Sequence, residues 1–196
     1  MATRCDTRSG LMVMDVRSTT PMSIPAEAYW GLRLDRGFDL FCAEEDRCDF
    51  TLHSETEDED EDGNTVVIIE STVTYDRSAV PGPILSLLPK DEPFRLWSRF
   101  RFWSDLFDKE HLATFETRPS ILSGKLIISG DVWCEPMGDS ACQLHAHQCV
   151  SCKVFGVGGV IEAAIASQVS TLTLRCPATH WERPSKPFAG HSFVCR

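Results

Sequence analysis

A chain of 196 residues, 42% hydrophobic and 24% charged, is long enough for one domain with a sizeable core and too apolar to be disordered by composition. The formal net charge is -10, and Glu55, Glu57, Asp58, Glu59, Asp60, Glu61 and Asp62 supply seven of the 29 acidic residues from one short run. An acidic protein repels a phosphate backbone, which excludes nucleic acid as a general partner.

In chain order, residues 1–9 are expected to form a flexible N-terminus without an apolar signal core, and the domain to span residues 10–177. Met12, Met14 and Val16 alternate with Val13, Asp15 and Arg17, which predicts a first strand. Ser23-Ile-Pro-Ala-Glu27 reads as a helix start, with Ser23 as cap and Pro25 in the first turn, and the helix carries Tyr29, Trp30 and Leu32 before breaking near Gly37. A second short helix runs from Phe38 to Glu45. Strands follow over Cys48 to Glu55 and Thr65 to Tyr75, placing the acidic run at a hairpin tip with turn chemistry from Asp62-Gly-Asn64. Pro81-Gly-Pro83 opens a helical turn, and further strands are expected over Phe94 to Phe107, His111 to Thr117, Lys125 to Cys134 and Cys142 to Phe155.

Gly156-Val-Gly-Gly159 then turns the chain into a helix reaching about Cys176, with Ile161, Ile165, Val169 and Leu172 on one wide apolar face and Pro177 as its stop. The tail, 178–196, has no period and is expected to be irregular. Consecutive strands joined by short turns imply an antiparallel meander on which the long helix must bury its apolar face.

This order resembles the helix-grip fold of START-like (SRPBCC, Bet v 1-like) proteins. The stretch Ser23-Ile-Pro-Ala-Glu-Ala-Tyr-Trp30 with Asp35 and Phe38 is similar to that superfamily's first-helix pattern. Pro119 with Leu126 to Gly130, Leu144 to Val154, and Gly156-Val-Gly-Gly-Val-Ile-Glu162 resemble the DUF2505 branch. The resemblance covers roughly residues 10 to 176 and implies an α+β fold. Its curved antiparallel sheet of about seven strands wraps a long C-terminal helix, with two short helices after the first strand. It also implies an apolar cavity between sheet and helix, in a superfamily that binds lipids, sterols or polyketide-like molecules and includes some enzymes.

Phe94, Leu96, Phe100 and Phe102 share one strand face, opposite Arg95, Trp97, Arg99, Arg101 and Trp103. With the resemblance, this gives the leading expectation: a carrier or sensor of an apolar small molecule or lipid. Its pocket would be lined by Phe94, Leu96, Phe100, Phe102, Leu126, Ile128, Leu144, Val150, Ile161, Ile165 and Val169, with Glu162 reaching a ligand hydroxyl at the mouth. A transient membrane contact during ligand exchange belongs to that expectation. The alternatives are a cyclase- or hydratase-type enzyme using Glu70, Glu116, Asp131 or Glu162, and an interaction module acting through the acidic hairpin, 55–62.

The residues that look most chemical carry little. His145, His147 and Cys149 share a face, but neighbours two apart on a strand lie ~6.5–7 Å apart, which strains one metal centre, and no metal or cofactor is expected. Cys149-Val-Ser-Cys152 has C-x-x-C spacing, but mid-strand the two thiols point to opposite faces. Nine cysteines without a framework spacing, several at positions to be buried, indicate a reducing, intracellular setting. The cytoplasm is the expected place, with a plastid the alternative on the residue types of Arg4, Arg8 and Ser9.

Overall fold

The computed structural model describes residues 13–80, 82–106, 108–122, 124–154 and 158–163. Strand β1 (Val13–Met22) leads into helices α1 (Ala26–Arg33) and α2 (Arg36–Glu45), followed by β2 (Cys48–Glu59), β3 (Thr65–Tyr75), a 3-10 turn (Arg77–Ala79) and the short helix α3 (Gly82–Leu85). Strands β4 (Phe94–Trp103), β5 (Ala113–Pro119), β6 (Leu126–Pro136) and β7 (Cys142–Cys152) complete one seven-stranded sheet, ordered β1-β7-β6-β5-β4-β3-β2. Every pairing is antiparallel.

The sheet and the two helices after β1 are those implied by the helix-grip resemblance. The chain is helical over 158–163, where the expected C-terminal helix begins, and the remainder of that helix, with Ile165 and Val169, lies outside the described residues. So do residues 1–9 and the tail, 178–196. Among the described residues no helix is long and apolar enough to cross a membrane.

Three local expectations are corrected. Ser23 does not cap α1: the N-cap position is Pro25, which is extended and makes no side-chain cap hydrogen bond. The break expected near Gly37 falls at Leu34 and Asp35, because Asp35 accepts from the Gly37 amide at 2.9 Å and starts α2 at Arg36, two residues before Phe38, leaving Gly37 inside the helix. The acidic run is not all turn, because β2 continues to Glu59 and pairs Glu55, Glu57 and Asp58 with Ile69, Val67 and Val66. Only Asp60 to Asn64 turns the chain, and Asp60 organises that turn by accepting from the Asp62 and Asn64 amides and from Trp103 Nε1 at 2.8 Å.

Alternation puts two apolar clusters on the inner face of the sheet. One joins Tyr29 and Trp30 of α1 and Phe38 of α2 to Val67, Ile69, Phe102 and Leu144. Trp30 and Phe102 stack with centroids 6.1 Å apart and planes at 15°, and each is 2% exposed. The other joins Val80, Ile84 and Leu88 to Phe94, Leu126, Ile128, Val150 and Ile161. Two glycines are fixed by close approach. A Cβ at Gly130 would lie 2.1 Å from the His147 carbonyl oxygen, and one at Gly158 would lie 2.7 Å from that of Cys152. The helical segment therefore starts tight against the end of β7, where the buried Glu162 accepts the Cys152 amide at 2.8 Å.

Candidate functional site

The site is built where α1 meets α2. Helix α1 ends at Arg33, and the Asp35 cap restarts the chain at Arg36, which sets two arginines side by side above the sheet. The Arg33 guanidinium lies over the Tyr29 ring at 5.6 Å and the Phe100 ring at 5.4 Å, and donates to the Tyr29 hydroxyl at 3.2 Å. Arg36 is bound to Asp39, to the Arg33 carbonyl at 3.1 Å, and to Glu55 at 3.0 Å.

Glu55 reaches Arg36 because of a bulge. The β2–β3 register shifts between Leu52 and Ser54, so inner-face positions change from Cys48, Phe50 and Leu52 to Glu55 and Glu57. Without that extra residue Glu55 would point outward, away from α2.

Between this helix pair and the inner face of β2, β3 and β4 lies a cavity of about 220 Å³. Its sheet wall is Cys48, Phe50, Ile69, Ser71, Val73, Tyr75, Ser98 and Phe100, and its helix wall is Arg33, Arg36, Asp39, Cys42, Ala43 and Asp46. Burial raises the Asp39 carboxyl above its ordinary value, against the opposing pull of Arg36 and Arg33. Burial, then Asp46 and Asp49, push the Cys48 thiol up to about 11. Burial, then Cys48 and Asp46, push the Tyr75 phenol up to about 12. Near neutral pH the wall therefore offers a protonated thiol and a protonated phenol as neutral hydrogen-bonding groups, not as nucleophiles.

Of the residues singled out from the sequence, Phe100 alone among the described residues lines this cavity. Phe102 and Leu144 are buried in the cluster under α1. Phe94, Leu126, Ile128, Val150 and Ile161 are buried in the second cluster, with Leu96 packed against it. Glu162 is occupied in holding the end of β7. The cavity residues Arg33, Arg36 and Asp39 carried no sequence signal beyond that of an ordinary amphipathic helix.

The outer face takes the groups considered for acid-base work. Glu70 lies 3.7 Å from Arg99, Glu116 pairs with Arg118, and Asp131 lies 3.8 Å from His147. None of these three carboxylates lines the cavity. The two histidines of β7 have different neighbours. His147 Nε2 is 3.0 Å from Asp15, whereas His145 stacks on Trp133 at 5.0 Å and lies 3.3 Å from Glu135. Cys152 is a free thiol and Cys149 is disulfide-bonded, so the C-x-x-C pair is not joined to itself.

Over most of its length the chain overlays distantly on solved structures. The Zhui aromatase/cyclase from Streptomyces sp. R1128 is 15% identical, with a TM-score of 0.45 over 83% of this chain and 91% of that one. Ara h 8.0201 is 10% identical, with a TM-score of 0.48 over 86% and 97%. Norcoclaurine synthase from Thalictrum flavum is 17% identical, with a TM-score of 0.41 over 84% and 88%. Likenesses this loose carry no activity across. No curated protein matches the chain. The family model described as a protein of unknown function, DUF2505, matches residues 18–176, which is most of the sequence, and the chain belongs to that family.

Proposed function

We propose that this protein binds a small apolar molecule, as a carrier or sensor, in the cavity between the α1–α2 pair and the inner face of β2–β4. The observation that carries the reading is the cavity itself: about 220 Å³ of unfilled space with Phe50, Ile69, Val73 and Phe100 as the apolar part of its sheet wall and the neutral Cys48, Ser71, Tyr75 and Ser98 between them. A concave apolar site with a few placed polar groups is the usual form of a small-molecule pocket. Its volume falls below the ~300–1,000 Å³ of pockets for drug-sized ligands, so the occupant is small, of one or two fused rings. Burial at ~25 cal/mol per Å² of apolar surface supplies the affinity.

The test is titration with naphthalene, followed by its own fluorescence, against wild type and a Val73→Phe variant that fills the cavity from β3. The expected result is saturable one-to-one binding in wild type that is lost or weakened at least tenfold in the variant. Absence of saturable binding, or equal binding by both proteins, would overturn the proposal.

A further inference from the structure

The inner face of the sheet is not uniformly apolar. Leu52, Ser71, Ser98, Thr117 and Ile128 are successive register partners on β2, β3, β4, β5 and β6. Three hydroxyl residues therefore cross the middle of the face as one row, between the two apolar clusters. Ser98 and Thr117 satisfy one another at 3.0 Å. Ser71 is only 9% exposed, and its hydroxyl makes no hydrogen bond to any described residue. Its neighbours explain why: Leu52 lies across on one side, Ile69 and Val73 lie along the strand, and the adjacent Ser98 is already engaged. The remaining side is the cavity, which Ser71 lines. The Ser71 oxygen is not sealed from that cavity, so its hydrogen bond is made with whatever fills the space, water or ligand.

We infer that the ligand is a neutral one- or two-ring molecule bearing a hydroxyl or carbonyl oxygen, and that Ser71 is the residue that selects for that oxygen. This rests on the cavity binding proposed above and specifies its ligand. Neutrality follows from the lining. The lining arginines Arg33 and Arg36 are matched in number by the lining carboxylates Asp39 and Asp46, so the wall has no surplus charge for an ion. A serine hydroxyl can both donate and accept, so it takes either a hydroxyl or a carbonyl. The apolar neighbours Ile69, Val73 and Phe100 place the ring system directly beside that oxygen. Tyr75 also lines the cavity, but four residues further along β3, with its ring 6.1 Å from Phe94 at the second cluster. It is the competing hydroxyl on this strand, and Tyr75→Phe tests it against Ser71.

The experiment compares naphthalene with 2-naphthol on wild type, Ser71→Ala, Ser71→Thr and Tyr75→Phe, with affinity read by fluorescence titration and folding by thermal unfolding. Wild type is expected to prefer 2-naphthol by about threefold to tenfold, the contribution of one hydrogen bond formed in a buried site. Ser71→Ala is expected to unfold no earlier than wild type, to lose that preference, and to bind naphthalene at least as tightly. Ser71→Thr restores the preference. Unchanged 2-naphthol affinity in Ser71→Ala, or loss of the preference in Tyr75→Phe instead, overturns the assignment of Ser71 while leaving cavity binding intact. Wild type that binds neither compound overturns the cavity itself and this inference with it.

Discussion

Phe100 and Phe102 stand two apart on the same face of β4, with ring centroids 5.4 Å apart, yet they face different surroundings. Phe102 is 2% exposed and stacked on Trp30. Truncation to Ala leaves a closed void under α1, for which the expected cost is about 3–5 kcal/mol. About 0.5–1.5 kcal/mol of that is ring-ring coupling, recoverable from a double-mutant cycle with Trp30→Ala. For a chain of this size the loss lowers Tm by about 6–20 °C, at ~2–4 °C per kcal/mol. Phe100 borders space that is already empty, so Phe100→Ala enlarges the cavity without creating a closed one. The expected cost is only the transfer term, about 1.5–3 kcal/mol, including its contact with Arg33. Equilibrium urea unfolding of both variants measures the two costs, and naphthalene titration of Phe100→Ala reports the looser fit. Equal losses, or a larger loss for Phe100→Ala, would refute the distinction between core and cavity wall on this strand.

Other consequences can be checked in the same way. Gly130→Ala puts a methyl 2.1 Å from a backbone oxygen, so β6 and β7 must separate, and destabilisation of at least about 1–3 kcal/mol in urea is expected. Glu162→Ala leaves the Cys152 amide without its acceptor and should cost about 1–3 kcal/mol, whereas Glu162→Gln, which keeps an acceptor oxygen, should recover most of it. Hydrogen bonds from Trp103 and then Asn64 hold the Asp60 carboxyl well below its ordinary value of 3.8. Its contribution to the turn is thus fully present above 3.8 and is lost as pH falls below it. The Trp103 indole N–H resonance should report that titration only in the acid range, and a midpoint above 4 would contradict it.

How much of this was legible in the sequence differs from element to element. The two faces of β4 could be read correctly because alternating Phe and Arg leave no ambiguity about which side is buried. The length of β2 could not, because an exposed strand of carboxylates has the composition of a loop, and only pairing with Val66, Val67 and Ile69 shows it to be a strand. The bulge at His53 left no sequence mark, since apolar alternation stops at Leu52. The α1 cap was misjudged because a serine in the right place is a propensity, and the extended Pro25 already fixes the entry of the helix. The site was hidden for a different reason. Its helix wall consists of charged residues that become a lining only through the turn at Asp35 and the bulge opposite. Its key polar group, Ser71, is unremarkable until its cross-strand neighbours are known.

Strand β2 is also one of the two edges of the sheet, β1 being the other, and an open edge is a template on which a second chain can add a strand. Residues Glu55 to Glu59 are all exposed along that edge, and four of the five are carboxylates. Two such edges brought together would set rows of like charge about 5 Å apart, close enough to repel strongly in the low salt of a dilute buffer. Like charge along this edge therefore opposes strand-to-strand pairing of two copies. That opposition is conditional, because salt screens the charge and acid neutralises it. Aggregation, if it comes, should start at this edge under those two conditions.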